Sequence, residues 1–182
     1  MKHYLRFIPN LISLVRIFLV IPTVLNLLSG KYIFALILFL IASISDALDG
    51  FLARFFKWHT DLGKILDPVA DKLLMIGSMT ALWFNQIVPL TVFIIFVLRD
   101  MLILLGAVFE MSITEKTPSP NLIGKITTIS QIIYILVLIL IEAFNLDLSL
   151  KIFHILIVFI TLCSLLSYLK WWLSNNFNRE NA

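Results

Sequence analysis

From Leu73 to Leu98 the chain runs for 26 residues without a charged side chain. Asn85, Gln86 and Pro89 mark a turn inside the run, so it divides into two apolar helices. The whole chain shares this character. It has 182 residues, of which 60% are hydrophobic, and its mean hydropathy is +1.02. That is far too apolar for a soluble domain of this size and calls for an all-α integral membrane protein. A formal charge of +3 is too small to argue for nucleic acid. One cysteine, Cys163, lies in an apolar run and excludes a disulfide framework within the chain. No internal repeat, low-complexity tract or linker divides the sequence, so residues 1–182 read as a single domain.

The pattern predicts six transmembrane helices after a short N-terminal interfacial segment. Met1 to Pro9 carries Lys2, His3 and Arg6 among apolar residues, as an interfacial segment does. Arg16 interrupts the apolar run that follows, which argues for a retained first helix and against a cleaved signal. That helix is expected from about Leu11 to Ser29, and Gly30-Lys31 turns the chain. The second is expected from Tyr32 to about Phe56, long enough to cross a roughly 30 Å core and project beyond it. Thr60 is an N-cap candidate for the third, which reaches about Phe84 with Pro68 inside it. The fourth is placed at about Val88 to Glu110. Met111 to Asn121 is the longest polar loop. The fifth opens at Gly124-Lys125 and runs to about Phe144. The sixth covers about Leu150 to Leu173 and closes on Tyr168, Lys170, Trp171 and Trp172, an interfacial belt.

Chemistry concentrates between Asp46 and Asp71. Asp46, Asp49, Gly50, Ala53 and Arg54 fall at i, i+3, i+4, i+7 and i+8, one face of a helix. Gly63, Asp67 and Asp71 fall at i, i+4 and i+8, one face of the next. Two neighbouring helices can therefore aim two carboxylates each at a shared centre. In an apolar setting such crowding drives protons onto the carboxylates unless cations compensate. An all-carboxylate set suits a hard divalent ion, Mg²⁺ or Mn²⁺, and two such ions are the usual arrangement for phosphoryl transfer. Gly50 and Gly63 leave the helix surface bare for close approach, and Arg54 is a phosphate partner on the Asp46 face. Solvated charge at the ends of two helices is the plainer alternative, but the period matches on both. A cation or proton transporter could use the same aspartates. However, they gather toward one membrane face, and no second acidic set lies at the opposite helix ends.

The string D-x-x-D-G-x-x-A-R, eight residues, then G-x-x-x-D-x-x-x-D resembles the signature of the CDP-alcohol phosphotransferases, integral membrane enzymes of phospholipid synthesis. Every defined position from Asp46 to Asp71 matches. The resemblance implies transfer of a phosphatidyl group from CDP-diacylglycerol to an alcohol, with release of CMP. It implies that Asp46, Asp49, Asp67 and Asp71 hold the metal, that Asp71 is also the catalytic base, and that Gly50, Ala53, Arg54 and Gly63 line the nucleotide. It further implies a homodimer.

The acceptor is read from basic residues elsewhere. Arg99 stands with Asp100 in the fourth helix, and intramembrane ionisable groups are functional candidates by default. Adjacent residues on a helix do not face each other, so a mutual pair is not expected. Arg99, Lys125 and Arg16 are the candidates for the acceptor phosphate; Arg16 has the alternative of snorkelling to the headgroups. Glycerol 3-phosphate is the leading acceptor. Two departures, Thr127 where a second lysine commonly stands and Asp100 after Arg99, are similar instead to the cardiolipin synthases of the superfamily, which use phosphatidylglycerol. His154 and Cys163 are assigned no chemistry, and His59 stays ambiguous. Lysine and arginine asymmetry places the termini and the active site on the cytoplasmic side of a bacterial or organelle inner membrane. Lys31 and Lys151 are left on the other side.

Overall fold

The computed structural model describes residues 8–56, 63–114 and 122–180, with side-chain surroundings for 10–46, 48, 55–56, 69–106 and 122–170. Among these residues the chain is helices joined by turns. In order they are α1 (Ile8–Leu28), α2 (Tyr32–Phe56), α3 (Gly63–Phe84), α4 (Leu90–Thr114), α5 (Leu122–Ala143) and α6 (Lys151–Glu180). The all-α expectation holds. Three ends move. α1 begins at Ile8 and takes in Pro9, which is tolerated in a first turn. Met111–Thr114 continues α4 and is not loop, and α6 runs past Leu173. The interfacial segment before Ile8, the Thr60 cap and His59 lie outside the described residues.

Two compact units divide the chain: Met1–Val88 with Ile135–Leu148, and Pro89–Tyr134 with Ser149–Ala182. In the first, α1 packs on both α2 and α3, and α2 touches α3. Gly77 lets α1 and α3 approach closely, since a Cβ there would lie 2.9 Å from Val24 Cγ2. In the second, α4 packs on α6, and a Cβ on Gly106 would overlap the hydroxyl of Tyr168.

Large apolar side chains cover the outside of the helices, and polar residues stand among the apolar ones inside. On α1, Leu11, Leu14, Phe18, Ile21 and Leu25 are exposed, while Ser13, Arg16 and Thr23 are buried. On α6, Ile155, Phe159 and Leu166 are exposed, and Thr161 and Ser164 are buried. Apolar residues outward and small polar residues inward suit a lipid surround, where helices associate through close packing and hydrogen bonds. The buried hydroxyls bond locally. Thr23 Oγ1 donates to Leu19 O at 2.7 Å and Thr161 Oγ1 to Ile157 O at 2.6 Å. The protein is an integral, multi-pass membrane protein. Among the described residues Asn10–Leu28, Leu122–Ala143 and Lys151–Lys170 are long and apolar enough to cross a bilayer. α2, α3 and α4 carry ionisable residues inside them.

One device ends three helices. After α1, Gly30 has φ 70°, Gly30 N donates to Leu27 O at 3.0 Å, and Lys31 N donates to Asn26 O at 2.9 Å. These are the two bonds of a Schellman motif. Gln86 (φ 61°) repeats it after α3, with Gln86 N to Trp83 O at 2.9 Å and Ile87 N to Leu82 O at 3.0 Å. Asn145 (φ 49°) does so after α5, with Leu146 N bonded to Ile141 O at 2.9 Å. Asn85 adds a tie within the first unit: its Nδ2 donates to Leu27 O at 2.8 Å and to Tyr32 Oη at 3.1 Å. The end of α3 is thereby fastened to the α1–α2 turn.

Candidate active site

All four motif aspartates belong to the first unit. Asp46 and Asp49 stand three residues apart on α2, and Asp67 and Asp71 stand four apart on α3, which remains helical through Pro68. Regular helix across both halves realises the spacing that the sequence implied. Gly50, Ala53 and Arg54 lie on α2 after Asp49, and Gly63 opens α3. The side chains of Asp49, Ala53, Arg54 and Asp67 lie outside the described set.

The side chains of Asp46 and Asp71 are described. Asp46 is 40% exposed at its side chain, and its Oδ1 accepts from Arg16 Nη1 at 2.5 Å. The Arg16 side chain is completely buried. Arg16 thus faces the interior of its unit and does not snorkel, since a buried guanidinium needs a carboxylate partner. Asp71 is partly open and lies 3.7 Å from Lys72 Nζ. Lys72 also reaches Met75 Sδ at 3.9 Å.

Asp46 and Asp71 offer only hard carboxylate oxygens, and both remain open enough to be reached. A carboxylate has about four acceptor positions, so neither cation contact exhausts its oxygens. Among the described residues no three of His, Cys, Asp and Glu gather into a metal-sized group; Asp49 and Asp67 lie on the same two helices, α2 and α3. The donor chemistry fits a divalent cation.

Arg99 anchors a polar cluster in the second unit. It is 1% exposed. Its Nη1 donates to Asp100 Oδ1 at 2.6 Å and to Gln131 Oε1 at 3.2 Å. Its Nη2 donates to Ser164 Oγ at 3.1 Å and to Gly124 O at 3.3 Å. One side chain therefore ties α4 to α5 and α6. This corrects the expectation that Arg99 and Asp100 would not pair. Successive Cβ atoms on a helix do diverge, but the arginine stem is long enough to bring its fork back to the neighbouring carboxylate. Full burial of both groups makes that pairing necessary. Lys125 is exposed on α5. Thr127 is buried, and its hydroxyl is spent on Ile123 O at 2.8 Å. Ser164 was not among the sequence candidates. Its signal was the spacing of Thr161, Ser164 and Tyr168 on one face of an otherwise apolar helix. Away from this cluster, Tyr134 Oη and His154 Nδ1 form a hydrogen-bonded pair at 2.7 Å, and Cys163 is exposed.

Comparison with known proteins supplies the chemical context. The profile of the CDP-alcohol phosphatidyltransferase family matches residues 6–174, across both units. The CDP-diacylglycerol--glycerol-3-phosphate 3-phosphatidyltransferase of Aquifex aeolicus (strain VF5) is 37% identical over 124 residues, 67% of this chain and 69% of the relative. Its namesake from Bacillus subtilis (strain 168) is 36% identical over 104 residues, 57% of this chain and 53% of the relative. The cardiolipin synthase (CMP-forming) of Homo sapiens is 32% identical over 121 residues, 65% of this chain and 39% of the relative.

Proposed function

Because the chain belongs to the CDP-alcohol phosphatidyltransferase family, it is an enzyme of phosphatidyl transfer, and we propose that it carries a phosphatidyl group from CDP-diacylglycerol to glycerol 3-phosphate, releasing CMP. The observation that carries the reaction class is the motif itself, with Asp46 and Asp49 on α2 and Asp67 and Asp71 on α3 of one unit. The relatives named for glycerol 3-phosphate carry the acceptor. The reading treats residues 1–182 as one catalytic domain with six spans working as a homodimer. The family match across both units supports the single domain. The inward polar and outward apolar faces support the spans, and the family resemblance supports the dimer.

In this reading Asp46, Asp49, Asp67 and Asp71 hold two divalent cations, Mg²⁺ or Mn²⁺. When bound, these neutralise the diphosphate of the CDP-lipid and the departing CMP. Gly50, Ala53, Arg54 and Gly63 line the nucleotide. Asp71 accepts the proton of the attacking hydroxyl as the new oxygen–phosphorus bond forms and the bond to CMP breaks. Lys125, exposed on α5, serves the acceptor phosphate, whereas Arg99, buried and bonded to Asp100, Gln131, Ser164 and Gly124, holds α4 to α5 and α6. The charge asymmetry that puts Lys31 and Lys151 opposite the other basic loops supports a cytoplasmic position for the active site. The acyl chains stay in lipid while the headgroup reacts.

A second reading has its own observation. Asp100 neutralises Arg99 inside the second unit, and Thr127 is buried where a second lysine would bring charge. Both reduce the cationic character offered to a phosphate monoester and favour phosphatidylglycerol as acceptor, as in a cardiolipin synthase. An acceptor competition decides: purified enzyme, CDP-diacylglycerol and Mg²⁺ with both acceptors present. Phosphatidylglycerophosphate as product supports the lead reading. Cardiolipin, with nothing from glycerol 3-phosphate, replaces it.

A further inference from the structure

Arg16 occupies a position that an acceptor ligand does not need. Its guanidinium is wholly buried, whereas the carboxylate it holds is 40% exposed. The contact joins α1 to α2 across 30 positions of sequence and uses one nitrogen and one carboxylate oxygen, Nη1 and Oδ1. It closes on the first aspartate of the motif. Of the polar residues of α1 that face inward, Ser13 and Arg16 sit in the N-terminal half of the helix and Thr23 in the C-terminal half. A guanidinium sunk behind a carboxylate, with that carboxylate open on its other side, is placed to orient it.

We infer that Arg16 is a positioning residue for Asp46: it fixes one carboxylate oxygen and leaves the second to a divalent cation. The inference rests on the reading of Asp46 as a cation ligand. An aspartate on a helix samples several rotamers, and a cation site that uses it loses affinity for each rotamer that points away. Arg16 removes that freedom. The competing effect is charge, because a guanidinium beside the site repels a cation. Single-point contact decides between them. Arg16 occupies one of about four acceptor positions on the carboxylate, and groups that hold a metal ligand by its far side typically contribute about 10- to 100-fold in metal affinity. Orientation therefore outweighs repulsion, and Arg16 contributes nothing directly to the acceptor.

The test uses the full chain in detergent and Mn²⁺ alone, with free Mn²⁺ followed by electron paramagnetic resonance and no lipid substrate present. Arg16→Gln weakens Mn²⁺ binding by about 10-fold or more. Arg16→Lys, which keeps the charge but not the planar fork, falls between wild type and Arg16→Gln, and it stands in if Arg16→Gln does not fold. Asp46→Ala, which removes the oxygen donor, weakens binding too, and Arg16→Gln/Asp46→Ala loses no more than Asp46→Ala alone, because Arg16 acts through Asp46. Wild-type or tighter Mn²⁺ affinity in either Arg16 variant overturns the inference. So does an unchanged affinity with a raised KM for glycerol 3-phosphate, which returns Arg16 to the acceptor. A wild-type protein that binds no Mn²⁺ overturns the metal reading itself, a separate failure.

Discussion

At the scale of single residues, the aspartates that hold a cation differ from the one that also moves a proton. Asp71→Asn keeps an oxygen donor but loses the base, so turnover falls by about 100-fold or more while CDP-lipid and Mn²⁺ binding change little. Single-turnover CMP release alongside equilibrium binding checks this, and near-normal turnover in Asp71→Asn removes the base assignment. The second residue-scale prediction concerns stability. Arg99 and Asp100 are both almost fully buried and neutralise each other at 2.6 Å. Asp100→Ala strands the guanidinium and costs about 3–5 kcal/mol, read as a marked fall in the thermal transition in detergent. Arg99→Met/Asp100→Ala removes both charges and costs less than Asp100→Ala alone, as expected when an uncompensated charge is the main penalty. A double variant less stable than Asp100→Ala contradicts this.

At the scale of helices, turns and close approaches carry the predictions. Gln86 holds a left-handed conformation at φ 61° that favours glycine. Gln86→Gly relieves about 1 kcal/mol of backbone strain, and the thermal transition rises. Gly106→Ala must displace the Tyr168 hydroxyl from the α4–α6 contact, costing about 1–3 kcal/mol, and the transition falls. Much at this scale was legible in sequence. Four aspartates at helical spacing can be read without coordinates, and the Gly30-Lys31 turn has a glycine where the left-handed residue must sit. Gln86 was read as part of a turn, but its conformation was not, because glutamine carries no left-handed signature. Met111–Thr114 and the end of α6 were cut short because polar residues invite a loop, yet no glycine or proline stops the helix at either place. The Arg99 cluster was hidden for a different reason. Its partners lie 32 and 65 positions away, and a single Ser in an apolar run resembles ordinary packing until the helices are brought together.

At the scale of the whole molecule, the proposed six-span topology leaves both termini on one side of the membrane and Lys31 and Lys151 on the other. Cysteines introduced at Lys31 and Lys151 of an otherwise Cys-free chain should label from the side opposite to one at Lys170 in sealed vesicles; labelling of all three from one side contradicts the six-span topology. Chelation should abolish activity, and Mg²⁺ or Mn²⁺ should restore it after dialysis, because four carboxylates cannot share a substrate diphosphate without cations between them. CMP release by purified protein supplied with CDP-diacylglycerol, Mg²⁺ and glycerol 3-phosphate tests phosphatidyl transfer itself. CMP and phosphatidylglycerophosphate should appear in equal amounts, and both should be lost with chelator and in Asp71→Asn. Absence of CMP with glycerol 3-phosphate and with phosphatidylglycerol alike, from folded protein with Mg²⁺ present, would contradict phosphatidyl transfer.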